Sequence, residues 1–216
     1  MIFATGSETM DDHHETRPAG GTMRRIAAFL RDRRAVAAVE FAFVAPVLLT
    51  LYLVTMEMTQ GIETNRKISR VGSMVADLVT QQPAETYKAD LEAIMRIGEA
   101  ILQPYGRTRP TIEITGIQLN GDPNPKATVK WSRKMVDGGF VAGAAKESET
   151  TVPETLRMPN TFLLRVSAQL DYRPVIAFTA EQRSGLGLLG SFGNIDMDEI
   201  YHLRPRMTSE ITCKDC

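Results

Sequence analysis

The sequence predicts an α+β chain: a single N-terminal transmembrane helix that continues into an amphipathic spine helix, then an extracytoplasmic domain on an antiparallel sheet. Three observations carry this. Residues Ala35–Met56 form an apolar run with one charge, Glu40. Apolar residues then recur at three- and four-residue spacings up to Val79. Beyond Pro110 the pattern changes to alternation, as in TIEITGIQL and TFLLRVSAQLDY. The first period belongs to helices and the second to half-buried strands.

The run comes first because its length decides the compartment. At about 1.5 Å rise per residue, some 22 residues cover the ~30 Å hydrocarbon core of a bilayer. A cleaved secretory signal has a shorter apolar region and a small-residue exit site. Met56-Glu57-Met58-Thr59-Gln60 offers none, so the run is an anchor. Arg24, Arg25, Arg31, Arg33 and Arg34 crowd its N-terminal flank against Asp32 alone. The far flank carries Glu57 and Glu63 before Arg66, Lys67 and Arg70. The positive-inside rule then places the N-terminus in the cytoplasm and everything after about Thr59 outside.

The boundaries follow from composition. Residues 1–22 are polar without periodicity and are expected to be disordered, with Met23 offering an internal start of translation. Residues 23–35 form the basic leader, 36–58 the transmembrane helix and 59–82 the spine helix. Ile62, Ile68, Val71, Val75, Leu78 and Val79 mark its apolar face, and Gly61 is a joint at the membrane surface. The membrane and spine parts together make about 45 residues, or ~68 Å.

Residues 83–216 form the α+β domain. Pro83 and Glu85 suit the first turn of a second helix. Its stripe is Leu91, Ile94, Met95, Gly98, Ile101 and Leu102, and Pro104 stops it. Strands are expected over Thr111–Leu119, with a bulge at Gly116, and over Lys126–Trp131 after the turn Asn120-Gly121-Asp122-Pro123. Residues 137–150 read as a loop. Thr161–Tyr172 is the strongest strand, and shorter ones are expected at Met197–Leu203 and Met207–Cys213. Trp131 is expected in the core.

Chemistry is sparse. Net charge is −1, with 25 basic and 26 acidic residues, which gives no global case for nucleic acid. Gly185-x-Gly187-x-x-Gly190 matches the letters of a dinucleotide fingerprint but lacks the strand–turn–helix context that the motif needs. The three histidines, 13, 14 and 202, are too scattered for a triad or a metal site. Asp196, Asp198 and Glu199 lack the length and glycine of a calcium loop. Cys213 and Cys216 form a C-x-x-C at the chain end, read as a structural bridge or two free thiols, since no βαβ pattern supports a redox centre. No enzyme, cofactor or metal is expected.

Glu40 is the informative residue. A carboxylate within an apolar span costs roughly 2.5–3.5 kcal/mol on insertion scales, so it is expected to have a task. The segment Arg33-Arg34-Ala35, Val36-Ala37-Ala38-Val39, Glu40-Phe41-Ala42, with Pro46 inside the apolar run, resembles the type IV pilin signature. It is most similar to the TadE/TadG-like pseudopilins of tight-adherence (Flp-type) pilus systems. Glu57 matches a second acidic residue near the outer end of the span, and Ala35 stands where that family usually has glycine. Shorter pieces fall in a similar order downstream: Val75–Val79, Gln103-Pro104-Tyr105, Trp131-Ser132, Val152-Pro153, Asp171–Pro174 and Arg204–Arg206.

The resemblance implies cleavage by a prepilin peptidase between Ala35 and Val36. It also implies assembly roles for Glu40, Phe41, Pro46 and Glu57. The implied partners are the lipid bilayer, other pilin-like subunits and the pilus assembly platform. The Val36 amine freed by cleavage would lie one turn from Glu40 and offset its charge. The plainer reading of Glu40 is an interfacial carboxylate about 7 Å deep that reaches water. Glu57, bordering water, is expected to matter less. The implied function is non-enzymatic pilus assembly; the alternative is a membrane-anchored periplasmic binding or sensor domain unrelated to pili.

Overall fold

The computed structural model describes residues 33–174 and 195–216. The expectations for residues 1–22, for the arginines up to 31 and for the Gly185–Gly190 letters lie outside the described residues. The chain divides into two compact units, Met1–Leu53 and Val54–Cys216.

Helix α1, Arg33–Thr80, is the first element. In the first unit its side chains from Val36 are almost all exposed, including Phe41, Phe43, Val47, Leu48, Leu49 and Tyr52. An 18-residue window of this helix is apolar enough to cross a membrane and has no part buried; it is the one such helix among the described residues. A soluble helix is held mainly by packing its apolar face, and this segment buries none of it among the described residues. A bilayer is the environment that satisfies it.

In the second unit the same helix behaves conventionally. Ile68, Val71, Val75, Ala76 and Val79 are buried against helix α2, Lys88–Ile101, and against one face of a sheet. Fully burying each of these valines and the isoleucine is worth about 1.5–3 kcal/mol. The helix runs unbroken through Gly61 and Gly72. Ile62, expected on the buried stripe, is 54% exposed, because it lies on the side of the helix away from the buried face of Glu57, Thr64, Ile68 and Val71.

The sheet is antiparallel. Its strands are β2 (Thr111–Leu119), β3 (Ala127–Val136), β4 (Gly139–Ala142), β5 (Glu149–Thr150), β6 (Phe162–Tyr172) and β7 (Ile195–Leu203). Their order is β4-β3-β2-β6-β7, with β5 also on β3. Ile112, Ile114, Leu164, Val166, Ala168 and Leu170 face the two helices. Ile117, Leu119, Ala127, Val152 and Leu163 form a second, smaller cluster. The register shifts between Gly116 and Ile117, whose partners Trp131 and Val129 skip Lys130. The bulge expected at Gly116 is therefore present. A Cβ there would meet the Trp131 ring at 2.6 Å, so glycine admits the indole. Trp131 is buried as expected, and its Nε1–H donates to the Ile211 carbonyl at 2.7 Å.

Four expectations are corrected. The second helix starts at Lys88, because Glu85–Thr86 forms strand β1, parallel to β8 (Thr212–Cys213). Pro83 therefore precedes the helix instead of opening it. Its N-terminus is capped by Asp90, which accepts the Tyr87 N–H, and by Asp215, which accepts the Lys88 N–H at 2.8 Å. Strand β3 runs on to Val136, because a two-residue turn, Asp137-Gly138, sends the chain back as β4. Both turn residues have positive φ, 51° and 79°, as a type I′ hairpin requires. The expected loop 137–150 thus holds two short strands. Finally, the expected strand Met207–Cys213 is reduced to Thr212–Cys213.

Candidate functional site

In the first unit, Val36, Glu40, Phe41 and Pro46 all lie on α1 and all are exposed. Ala35 belongs to the same helix. The 3.6-residue repeat brings positions 36 and 40 to one face, one turn apart. Pro46 has no N–H for the Ala42 carbonyl, and its own carbonyl accepts the Thr50 hydroxyl at 2.8 Å. What this segment offers is an apolar surface interrupted by one carboxylate. A carboxylate in hydrocarbon is costly unless a cation pairs with it.

The second unit contains a polar cluster that the sequence did not announce. Glu57 is only 6% exposed, and its Oε1 accepts the Tyr172 hydroxyl at 2.6 Å. The expectation that Glu57 borders water is overturned, because the last residue of β6 covers it. Tyr172 stacks on Tyr105, ring centroids 5.5 Å apart. The Arg107 guanidinium lies over the Tyr105 ring and donates to the Arg173 carbonyl at 3.0 Å and to Gln60 at 3.4 Å. The Tyr105 hydroxyl in turn accepts the Arg173 N–H at 3.0 Å. Burial, reinforced by the Glu57 carboxylate, pushes the Tyr172 phenol up to about 12, against the opposing pull of Arg107. The phenol therefore stays a hydrogen-bond donor at every ordinary pH. The cluster fastens Glu57 and Gln60 of α1 to the end of β6 and to the loop after α2.

Cys213 and Cys216 are joined by a disulfide. They and Asp215 are the one group of potential metal ligands brought together among the described residues. The sulfurs are bonded to each other and Asp215 caps α2, so the group is occupied structurally. His202 sits in β7 opposite Arg165, and burial, with Arg165 adding to it, holds its imidazole below the usual range. Asp196, Asp198 and Glu199 lie along β7, and Asp196 lines a cleft that Glu57 and Tyr172 also line.

Among the described residues these features define one candidate membrane-spanning helix, whose first part is apolar and exposed and whose second part packs into an α+β domain. Residues 35–76 match the family model described as TadE-like protein. The match covers the exposed apolar segment with Glu40 and the buried stripe up to Ala76, and the resemblance seen in the sequence holds over these residues. No curated protein matches the chain, and no solved structure does.

Proposed function

We propose that this chain is a non-enzymatic, pilin-like component of a tight-adherence pilus system, held in the inner membrane by a single span. Its N-terminus is cytoplasmic and its α+β domain periplasmic. The observation that carries the reading is the TadE-like match over 35–76 on a helix whose exposed apolar surface is interrupted by Glu40. In an assembly role, Glu40 meets a cation supplied by a subunit, the free amine of Val36 if the leader is cleaved after Ala35. The pairing fixes helix register, since an unpaired carboxylate in hydrocarbon is costly. Pilin-like subunits and the assembly platform are the partners, with the prepilin peptidase acting beforehand.

The basic flank Arg24–Arg34 supports the orientation. Deletion of the gene in a piliated host should abolish or strongly reduce surface pili, and plasmid-borne wild type should restore them. Full piliation without the gene would refute the role.

A further inference from the structure

A cleft of about 450 Å³ opens in the second unit between α1 and the sheet edge. On one side stand Met58, Ile62 and Arg66 of α1; on the other stand Pro174, Ile195 and Asp196. Met58 and Ile62 are each 54% exposed and Ile195 is 44% exposed, so three large apolar side chains line it in the open. Neither Arg66 nor Asp196 enters a side-chain hydrogen bond or an ion pair among the described residues.

We propose that this cleft binds one bilayer phospholipid of the aminophospholipid class. The apolar walls would take the start of its acyl chains, Arg66 its phosphate and Asp196 its ammonium. The inference rests on reading the apolar run as a membrane span, not on the pilus role.

Position along the helix supports a lipid. Met58, Ile62, Arg66 and Arg70 recur every four residues, so they share one face, and all four are exposed. Moving away from the apolar run, that face changes from apolar to cationic. At helical rise Met58 lies about 3 Å beyond Met56, within the headgroup layer of about 5–7 Å, and Ile62 and Arg66 follow at about 9 and 15 Å. Helical side chains lean toward the N-terminus, which here is the membrane end, so Arg66 reaches back toward the phosphates. A guanidinium matches a phosphate in geometry and charge. Asp196 would repel a purely anionic headgroup and attract an ammonium, which favours phosphatidylethanolamine over phosphatidylglycerol.

The full chain, reconstituted in nanodiscs of equal phosphatidylethanolamine, phosphatidylglycerol and phosphatidylcholine, should release into native mass spectrometry with one retained phospholipid, mainly phosphatidylethanolamine. Arg66→Gln should cut retention of every headgroup class about tenfold, the worth of one charged hydrogen bond. Asp196→Asn should keep retention but lose the preference over phosphatidylglycerol. Both side chains are exposed, and unchanged thermal unfolding will confirm that the variants fold. A photoreactive benzoylphenylalanine at Ile62 should form its adduct with phospholipid. Adducts with residues 175–194 or with a second copy, or equal retention in Arg66→Gln, would overturn the proposal. Extraction of the wild type by carbonate would refute the span reading and the inference with it. An integrated chain that retains no lipid would refute the inference alone.

Discussion

The Tyr172 hydroxyl donates to the Glu57 carboxylate at 2.6 Å, joining the last residue of β6 to the helix one residue after its apolar run ends. A buried carboxylate without donors costs several kcal/mol, so this bond helps permit an acidic residue at that point. Glu57→Ala leaves the phenol a buried donor without this acceptor and should destabilise the domain by about 1–3 kcal/mol. Tyr172→Phe should cost a similar amount. Because the two groups act together, the double variant should be less destabilised than the sum of the singles. Thermal unfolding of the four proteins in detergent measures this; strict additivity would show that the bond carries no energy.

The same phenol gives an alkaline signature. Its folded pKa of about 12 lies above the ordinary tyrosine value of about 10, so the folded state holds the proton longer than the unfolded chain. Its stabilising contribution is complete below about pH 10 and is lost as pH rises toward 12, in total roughly 3 kcal/mol. Wild type should therefore lose more stability between pH 10 and 12 than Tyr172→Phe does. Parallel curves for the two proteins would contradict the buried, carboxylate-bonded phenol.

Gly98 sits where α2 crosses α1. A Cβ there would lie 2.7 Å from Val75 Cγ2 and 3.2 Å from Ile112 Cδ1, and both neighbours are fully buried. Alanine gains about 1 kcal/mol of helix propensity, but overpacking costs about 1–3 kcal/mol. Gly98→Ala should therefore lower the melting temperature by a few degrees. An increase would mean that the helix crossing is looser than the distances state.

At the other end of the domain, the Cys213–Cys216 bridge closes the loop that carries Asp215 to the start of α2. In native membranes neither sulfur should react with an alkylating reagent before reduction. Asp215→Ala should cost about 0.5–2 kcal/mol as a lost cap. Full labelling of both thiols without reductant would refute the bridge.

Periodicity made the main elements readable in the sequence. The period-3.6 stripe from Ile68 to Val79 and the alternation in Thr111–Leu119 and Thr161–Tyr172 each answer to one buried face. The Gly116 bulge was legible because glycine interrupts an alternating run. The Asp137-Gly138 hairpin could also have been read, since Asp-Gly between strand-forming residues is a strong turn signal, but the Gly- and Ala-rich stretch after it obscured the short β4. Strand β1 was hidden because Glu85 and Thr86 gain their strand from Thr212 and Cys213, more than a hundred residues away. Glu57 was misread for the same reason. In sequence it is an acidic residue at a span's edge, and only the fold brings Tyr172 over it. Glu40 differs: its neighbours in the chain already state the anomaly of a charge in an apolar run.

Glu40→Ala separates membrane insertion from pilus assembly. Removing the charge makes the span more apolar, so membrane insertion should be unchanged or improved. Assembly should fail, because the carboxylate that pairs with a subunit's cation is gone, whereas Glu40→Asp should be partly defective. The measurement is surface pilus yield set against membrane abundance of each variant. Glu40→Ala should show normal abundance with pili absent or nearly so. Wild-type piliation from a stably inserted Glu40→Ala protein would contradict it, reducing Glu40 to an interfacial carboxylate without a part in assembly.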